Sequence, residues 1–390
     1  MSITVLSGSP LVATPVYNKM LYKVSGSLIA QPNYRYVCDV KNPAGTTLAR
    51  LKCDKLPTTN FGFFDVQKVV ETLIAPTAPS LTQTGFADHS GFYSGYRLDF
   101  TQEYGNTPVV TGATTTVSGV MAFAGNLEQL ELADWSLSPY FRIGSSFNSV
   151  QPLTTPQAFT VYQGGRNFLA INGTKYATVS ANDTWLVSAQ VNYKGVNYNF
   201  AVTPSLSGTT DYNIQRFACG PANLSGTISA LSGALEGDSY TVQFLGNSGS
   251  SVQTTFTFGP CQRFDSIPVH FVNKYGGIDS YTFTMKNRKR ANIQREVFGY
   301  NSDVYATTTY NKVWAGSFDF VYALNSDWLT DAESEWLIEM VRSGYVWLEL
   351  GGQLVEAVVN ANQYQFVTRR NDRLTQLQIE VAVAYDNNIL

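Results

Sequence analysis

Two histidines, His89 and His270, are the only imidazoles in 390 residues, so acid–base chemistry near neutral pH rests on them or on tuned carboxylates. Asp88, His89 and Ser90 set the three residue types of a hydrolase triad side by side. Adjacent side chains point apart, however, and form no triad without help from elsewhere; His89 reads as a solvated loop residue. His270 lies among the apolar residues of Ile267–Val272 and reads as a satisfied strand histidine. Glycoside hydrolysis needs two carboxylates about 5–10 Å apart, and no spacing among the 29 acids selects a pair. Glu349 and Glu356 fall on hairpin strands, and Glu333, Glu335 and Glu339 on a helix, where charged solvent faces account for them. Gly276-Gly277 lacks the lysine and helix of a phosphate loop, and no G-x-G-x-x-G occurs. Cys38, Cys53, Cys219 and Cys261 contain no C-x-x-C and no zinc-like offset to a histidine. Small buried thiols are the plainer reading, with a Cys38–Cys53 disulfide between neighbouring strands as the alternative. The sequence predicts no catalytic residue, no metal site, no cofactor and no enzyme.

One local concentration of charge stands out: Lys286, Arg288, Lys289, Arg290 and Arg295. These cations suit an acidic partner or DNA phosphates; the plainer reading is a solvated strand-to-loop exit. Aromatic clusters at Phe61-Gly-Phe-Phe64 and Phe92-Tyr93 are the candidate stacking surfaces for a sugar, although core and interface packing explains them as well.

The elements that would carry these residues are almost all strands. In a first block, 1–80, Val16–Val24, Asn33–Val40 and Thr46–Cys53 read as strands, with Asn42-Pro-Ala-Gly45 as a turn. Asp65 then opens a short helix near 65–74, and Ala75–Ser80 is rich in breakers. This block reads as an immunoglobulin-like β-sandwich. A second block, 81–260, offers strands at Gly91–Gln102, Val109–Phe123, Gln157–Tyr162, Ala177–Tyr193, Asn197–Val202 and Ser239–Phe258, a further β-sandwich region. Leu224–Leu235, full of Ser and Gly, reads as a connector or exposed loop. The third block, 261–390, is β-rich with one amphipathic helix near 330–343, opened by a Thr330-x-x-Glu333 capping box and burying Trp336, Leu337, Met340 and Val341. Gly351-Gly352 turns a two-residue hairpin, and Gln363–Arg369 pairs with Leu374–Tyr385 across Asn371-Asp372. The predicted fold class is mainly β, built of multidomain antiparallel β-sandwiches.

Only 14% of residues are charged, against about 25% in ordinary domains, while Tyr and Phe number 23 each. Strands with polar, uncharged outer faces and interfaces rich in aromatics have this composition. A net charge of −3 argues against a protein whose main task is coating nucleic acid. The first residues lack the basic and apolar regions of a signal peptide, and no apolar run reaches 18 residues; synthesis in the cytoplasm and no membrane partner are expected.

Asn273 to Phe283 (NKYGGIDSYTF) resembles a pattern of virion structural proteins from tailed bacteriophages of Bacteroidota, including the crAss-like group. Trp328–Glu333, Ser343–Glu349 and Leu374–Ala382 follow in the same order as in that group. Asn33–Tyr36, Ala49–Lys52 and Phe64-Asp65 are similar in the first block. Ile278 stands where the pattern is more often aromatic. The resemblance covers about 261–390, and more loosely 10–75. It implies a non-enzymatic tail, neck or head–tail component that assembles with itself and with other virion proteins as a ring or tube. Contact with genomic DNA would be incidental. It implies no catalytic residues, and a virion location after synthesis in the host cytoplasm. The alternative expectation is a receptor-binding or carbohydrate-binding adhesion protein.

Overall fold

The computed structural model describes residues 3–6, 13–135, 139–140, 150–173, 186–202, 214–246, 249–300, 310–360, 376–383 and 387–389. The strand expected at Gln363–Arg369, its turn at Asn371-Asp372 and the first part of Ala177–Tyr193 lie outside them. The chain is mainly β, as its alternating patterns require, with antiparallel sheets paired into sandwiches.

The first sandwich uses β1 (Thr4–Val5), β2 (Ala13–Pro15), β3 (Leu21–Ser25), β4 (Arg35–Lys41), β5 (Thr47–Asp54) and β6 (Gly62–Asp65). A short helix α1 (Gln67–Glu71) follows, and then β7 (Gly85–Asp88), β8 (Tyr93–Tyr104) and β9 (Val109–Phe123). One sheet runs β1-β3-β6 and the other β2-β9-β8-β4-β5, with β2 and β9 parallel. The two close over Phe100, whose ring lies 6.0 Å from Tyr22 and 5.8 Å from Phe64 in the opposite sheet. The outer face of the larger sheet carries cross-strand ion pairs: Asp39–Arg50, Asp99–Lys41 and Glu103–Lys52, each at 2.6 Å. The sandwich does not stop near residue 80. Its strands β8 and β9 come from beyond the Pro-rich stretch, which is a crossing: Ala75 N–H donates to Gly91 O at 2.9 Å.

The second sandwich follows α2 (Gln129–Ala133) and contains β10 (Ala158–Val161), β11 (Phe168–Asn172), β12 (Ser188–Tyr193), β13 (Val196–Ala201) and β14 (Ile214–Ala218). It continues through α3 (Pro221–Leu224), β15 (Ser239–Gly246), β16 (Gly249–Ser250) and β17 (Thr254–Phe258). A six-stranded sheet β10-β17-β15-β12-β13, with β16 on β15, faces the sheet β11-β14-β7. The stretch Leu224–Leu235 is no exposed connector. It starts at the last residue of α3 and forms a 3-10 turn, Ser229–Gly233, and Leu224, Ile228 and Leu231 are buried in the core.

The third body holds β18 (Ile267–Val272), β19 (Ile278–Phe283), β20 (Arg288–Tyr300), β21 (Tyr310–Asn325), α4 (Asp331–Arg342), β22 (Val346–Leu350), β23 (Gln353–Val359), β24 (Gln378–Val383) and β25 (Asn387–Ile389). Its sheet runs β19-β18-β22-β23-β24-β21-β20, with β25 on β21. The capping box forms, with Glu333 N–H donating to the Thr330 hydroxyl at 3.3 Å and Thr330 N–H to the Glu333 carboxylate at 2.9 Å. Trp336, Leu337 and Met340 are buried beneath it. Gly351 and Gly352 take φ of 58° and 79°, as a two-residue hairpin turn demands. Strand alternation makes this sheet a partition. Val346 and Leu348 of β22 join the core of the second sandwich, whereas Trp347 between them joins that of the first. The three bodies therefore share cores instead of hanging on linkers.

Candidate functional site

Alternation along β20 sorts the five candidate cations. Arg288 and Arg290 project from one face, and Lys289 and Arg295 from the other. From Arg288 onward the stretch is paired strand, not a strand-to-loop exit. Lys286, Arg288 and Arg290 line one open groove of about 720 Å³, with Phe264, the amides of Asn325, Gln376 and Gln378, and, among the described residues, no carboxylate in its lining. Asn325 fixes the groove floor: its N–H donates to Asn287 Oδ1 at 3.1 Å and its amide to Lys286 O at 2.7 Å. Arg290 also meets Glu380 at 3.0 Å on β24, reaching across β21. Lys289 is spent on the opposite face, its ammonium 3.6 Å from the centroid of Phe320. Arg295 is exposed on that same face. The five residues are thus three groove cations and two that lie apart from them.

The histidines are not where their neighbours in sequence suggest. His89 is fully buried, not solvated: Nε2 meets Gly276 O at 2.8 Å and the ring stacks on Phe92 at 3.8 Å. Burial, aided by the nearby Arg216 charge, pushes its pKa down to about 3, so the ring stays neutral. His270 is a core histidine, with Nδ1 at 2.7 Å from Ser280 Oγ and Nε2 at 3.6 Å from Glu349 Oε2. Glu349 is not a solvent-face acid: Arg166, whose Nε also donates to Leu81 O at 3.0 Å, holds its carboxylate. Serine, histidine and glutamate thus come together, a set that adjacency in sequence never showed. His270 has no exposed surface and Ser280 only 6%, leaving no approach for a carbonyl substrate to the hydroxyl. The trio pins β18, β19 and β22 to the segment between β10 and β11.

The Asn273–Gly277 turn does similar work. Asn273 Oδ1 accepts from Tyr275 N–H at 3.0 Å and Gly277 N–H at 2.9 Å, while its amide donates to Leu153 O at 2.7 Å. Lys274 O accepts from Asn126 N–H at 3.0 Å, and Gly276 O takes the His89 contact. One turn therefore binds segments from all three bodies, which explains its run of Asn and Gly. Gly277 packs so closely that an added Cβ would sit 2.1 Å from Leu153 O.

Asp279, two residues further on, is buried beneath α4 and accepts from Trp336 Nε1 at 2.7 Å. Its other oxygen has no hydrogen bond, and neither has the Thr154 hydroxyl. Burial, with repulsion from Glu339, pushes its pKa up to about 7 against the help of the Trp336 hydrogen bond.

The aromatic clusters offer no sugar platform as a set, because Phe64 and Phe92 are core residues at 3% and 0% exposure. Cys38 and Cys53 are free thiols, set opposite Leu51 and Tyr36 rather than each other. Among the described residues, no three His, Cys, Asp or Glu are grouped to hold a metal ion, and no helix is long and apolar enough to cross a membrane.

No protein-family model matches the chain, and no curated protein matches it. Among solved structures it is similar to the fibronectin(III)-like modules of Clostridium thermocellum CbhA, at 8% identity over 66% of this chain and 93% of that one. The TM-score of 0.16 is too low for that likeness to carry any argument.

Proposed function

We propose that the chain is a non-enzymatic structural component of a tailed-phage virion, joining copies of itself in a ring or tube of the tail, neck or head–tail region. The observation that carries this reading is the ribbon β20–β21. Its strands run 13 and 16 residues, yet among the described residues β24 pairs only Val321–Asn325 and β25 only Gly316–Phe318. Residues 288–296 are exposed on both faces, Ile293 at 53%, and among the described residues β20 is an edge of the sheet. At about 3.4 Å per residue, β20 extends roughly 44 Å, and a two-stranded ribbon by itself is marginal in water. A neighbouring subunit that takes the ribbon supplies the missing packing, and strand addition at its edge is one way to do so. The contact joins unlike surfaces, so it closes into a ring when the rotation permits. The resemblance of Asn273–Phe283 to phage virion proteins supports the same reading.

Electron microscopy with native mass measurement on the full chain tests it. Closed rings or tubes are expected, lost when residues 294–317 are replaced by an Asn-Gly turn joining the paired Ile293 and Phe318. A wild-type chain that stays monomeric both alone and with its virion neighbours overturns the reading.

A further inference from the structure

We infer that the groove at the base of the ribbon, lined by Lys286, Arg288, Arg290 and Phe264, binds a single-stranded segment of nucleic acid through its phosphate backbone. The inference does not depend on the assembly reading. Its first support is a charge imbalance. The chain carries 29 acids against 26 Lys and Arg, yet among the described residues the lining of this groove has three cations and no carboxylate. Lys286 and Arg288 have no acidic partner among the described residues, and only Arg290 is engaged, by Glu380. An isolated group of cations held on one face costs repulsion that a polyanion relieves. The second support is the rest of the lining. Asn325, Gln376 and Gln378 are amides, the neutral donors that accompany Lys and Arg on phosphate oxygens. The third is Phe264, a phenyl ring 36% exposed in the groove and a surface on which one unpaired base can stack. A base held inside a duplex cannot reach such a ring.

The test is fluorescence anisotropy with a labelled 30-nucleotide single strand and the matching duplex, on the full-length protein, at 50 and 200 mM salt. Three phosphate contacts on a single strand give a logarithmic salt slope near −2, hence a loss of about 15- to 20-fold in affinity over that range. Replacing Lys286, Arg288 and Arg290 together by Ser abolishes both binding and slope. Lys289→Ser, which removes charge from the opposite face, leaves the slope unchanged. Phe264→Ala weakens the single strand at least fivefold and the duplex not at all. All these residues are exposed, so circular dichroism of each variant matches the parent. The inference is overturned if the single strand does not bind, if the triple variant binds as the parent does, or if Lys289→Ser reduces the slope as much as a groove cation. It is also overturned if a polyglutamate peptide binds more tightly than the single strand, which would identify an acidic protein as the occupant. Native mass of the same samples reports oligomeric state separately, so a failed groove and a failed assembly reading are told apart.

Discussion

Replacing Asp279 by Asn is expected to stabilise the protein above neutral pH and to flatten its pH dependence. The folded state holds this carboxyl's pKa near 7 against an ordinary value of 3.8. The folded chain therefore binds the proton more tightly than the unfolded chain does. The group is harmless to stability below about pH 4, and its penalty grows as pH rises through 7. Linkage puts the penalty at about 2 kcal/mol at pH 5 and about 4 kcal/mol at pH 8. The amide keeps the bond that matters, since its oxygen accepts from Trp336 Nε1. Urea unfolding of parent and variant at pH 5, 6, 7 and 8 reads the result. The gap in favour of the Asp279→Asn variant should widen by about 2–3 kcal/mol across that range. A gap that does not change with pH, or a variant less stable than the parent at pH 8, would refute the claim that burial and Glu339 govern this site.

Three smaller predictions concern other joints. Gly277→Ala forces a Cβ to within 2.1 Å of Leu153 O and should cost about 2–3 kcal/mol, whereas Gly344→Ala, with open space around it, should change thermal stability by under about 0.5 kcal/mol. Thr330→Ala removes the acceptor for Glu333 N–H and should cost about 1 kcal/mol in urea unfolding. Burial raises the Asp99 pKa, but Lys41, Thr116 and Arg97 outweigh it and hold it at about 2. Its stabilisation is therefore present above about pH 4 and lost as pH falls through 2. Asp99→Asn should cost about 1–2 kcal/mol at pH 7, discounted for the partly exposed partners, and nothing in acid unfolding near pH 2.

Periodicity over long segments was readable directly. Val109–Phe123 has the bounds its run of Val and Thr predicts, and α4 begins at its capping box. Short, fully buried strands were not. Phe168–Asn172 and Ile214–Ala218 bury every residue, so they show no alternation to recognise. Leu224, Ile228 and Leu231 did carry a helical i, i+4, i+7 signal, but the Ser and Gly around them masked it. The groove cations were visible as a cluster, and only pairing of β20 with β21 divides them by face.

Local chemistry in the chain settles what depends on neighbours in sequence: the β-rich class, the capped helix, the Gly-Gly hairpin and the lack of reactive spacing. Tertiary structure alone decides which of those residues meet. Leu153, Asn126 and His89 converge on one turn across 120 residues or more, and Ser280, His270 and Glu349 assemble only when β18 lies between β19 and β22. Burial likewise belongs to the folded chain, because a side chain's solvent and its electric field come from whatever packs against it. A sequence window contains neither, and for that reason His89 is neutral and Asp279 titrates near 7 without any local signal.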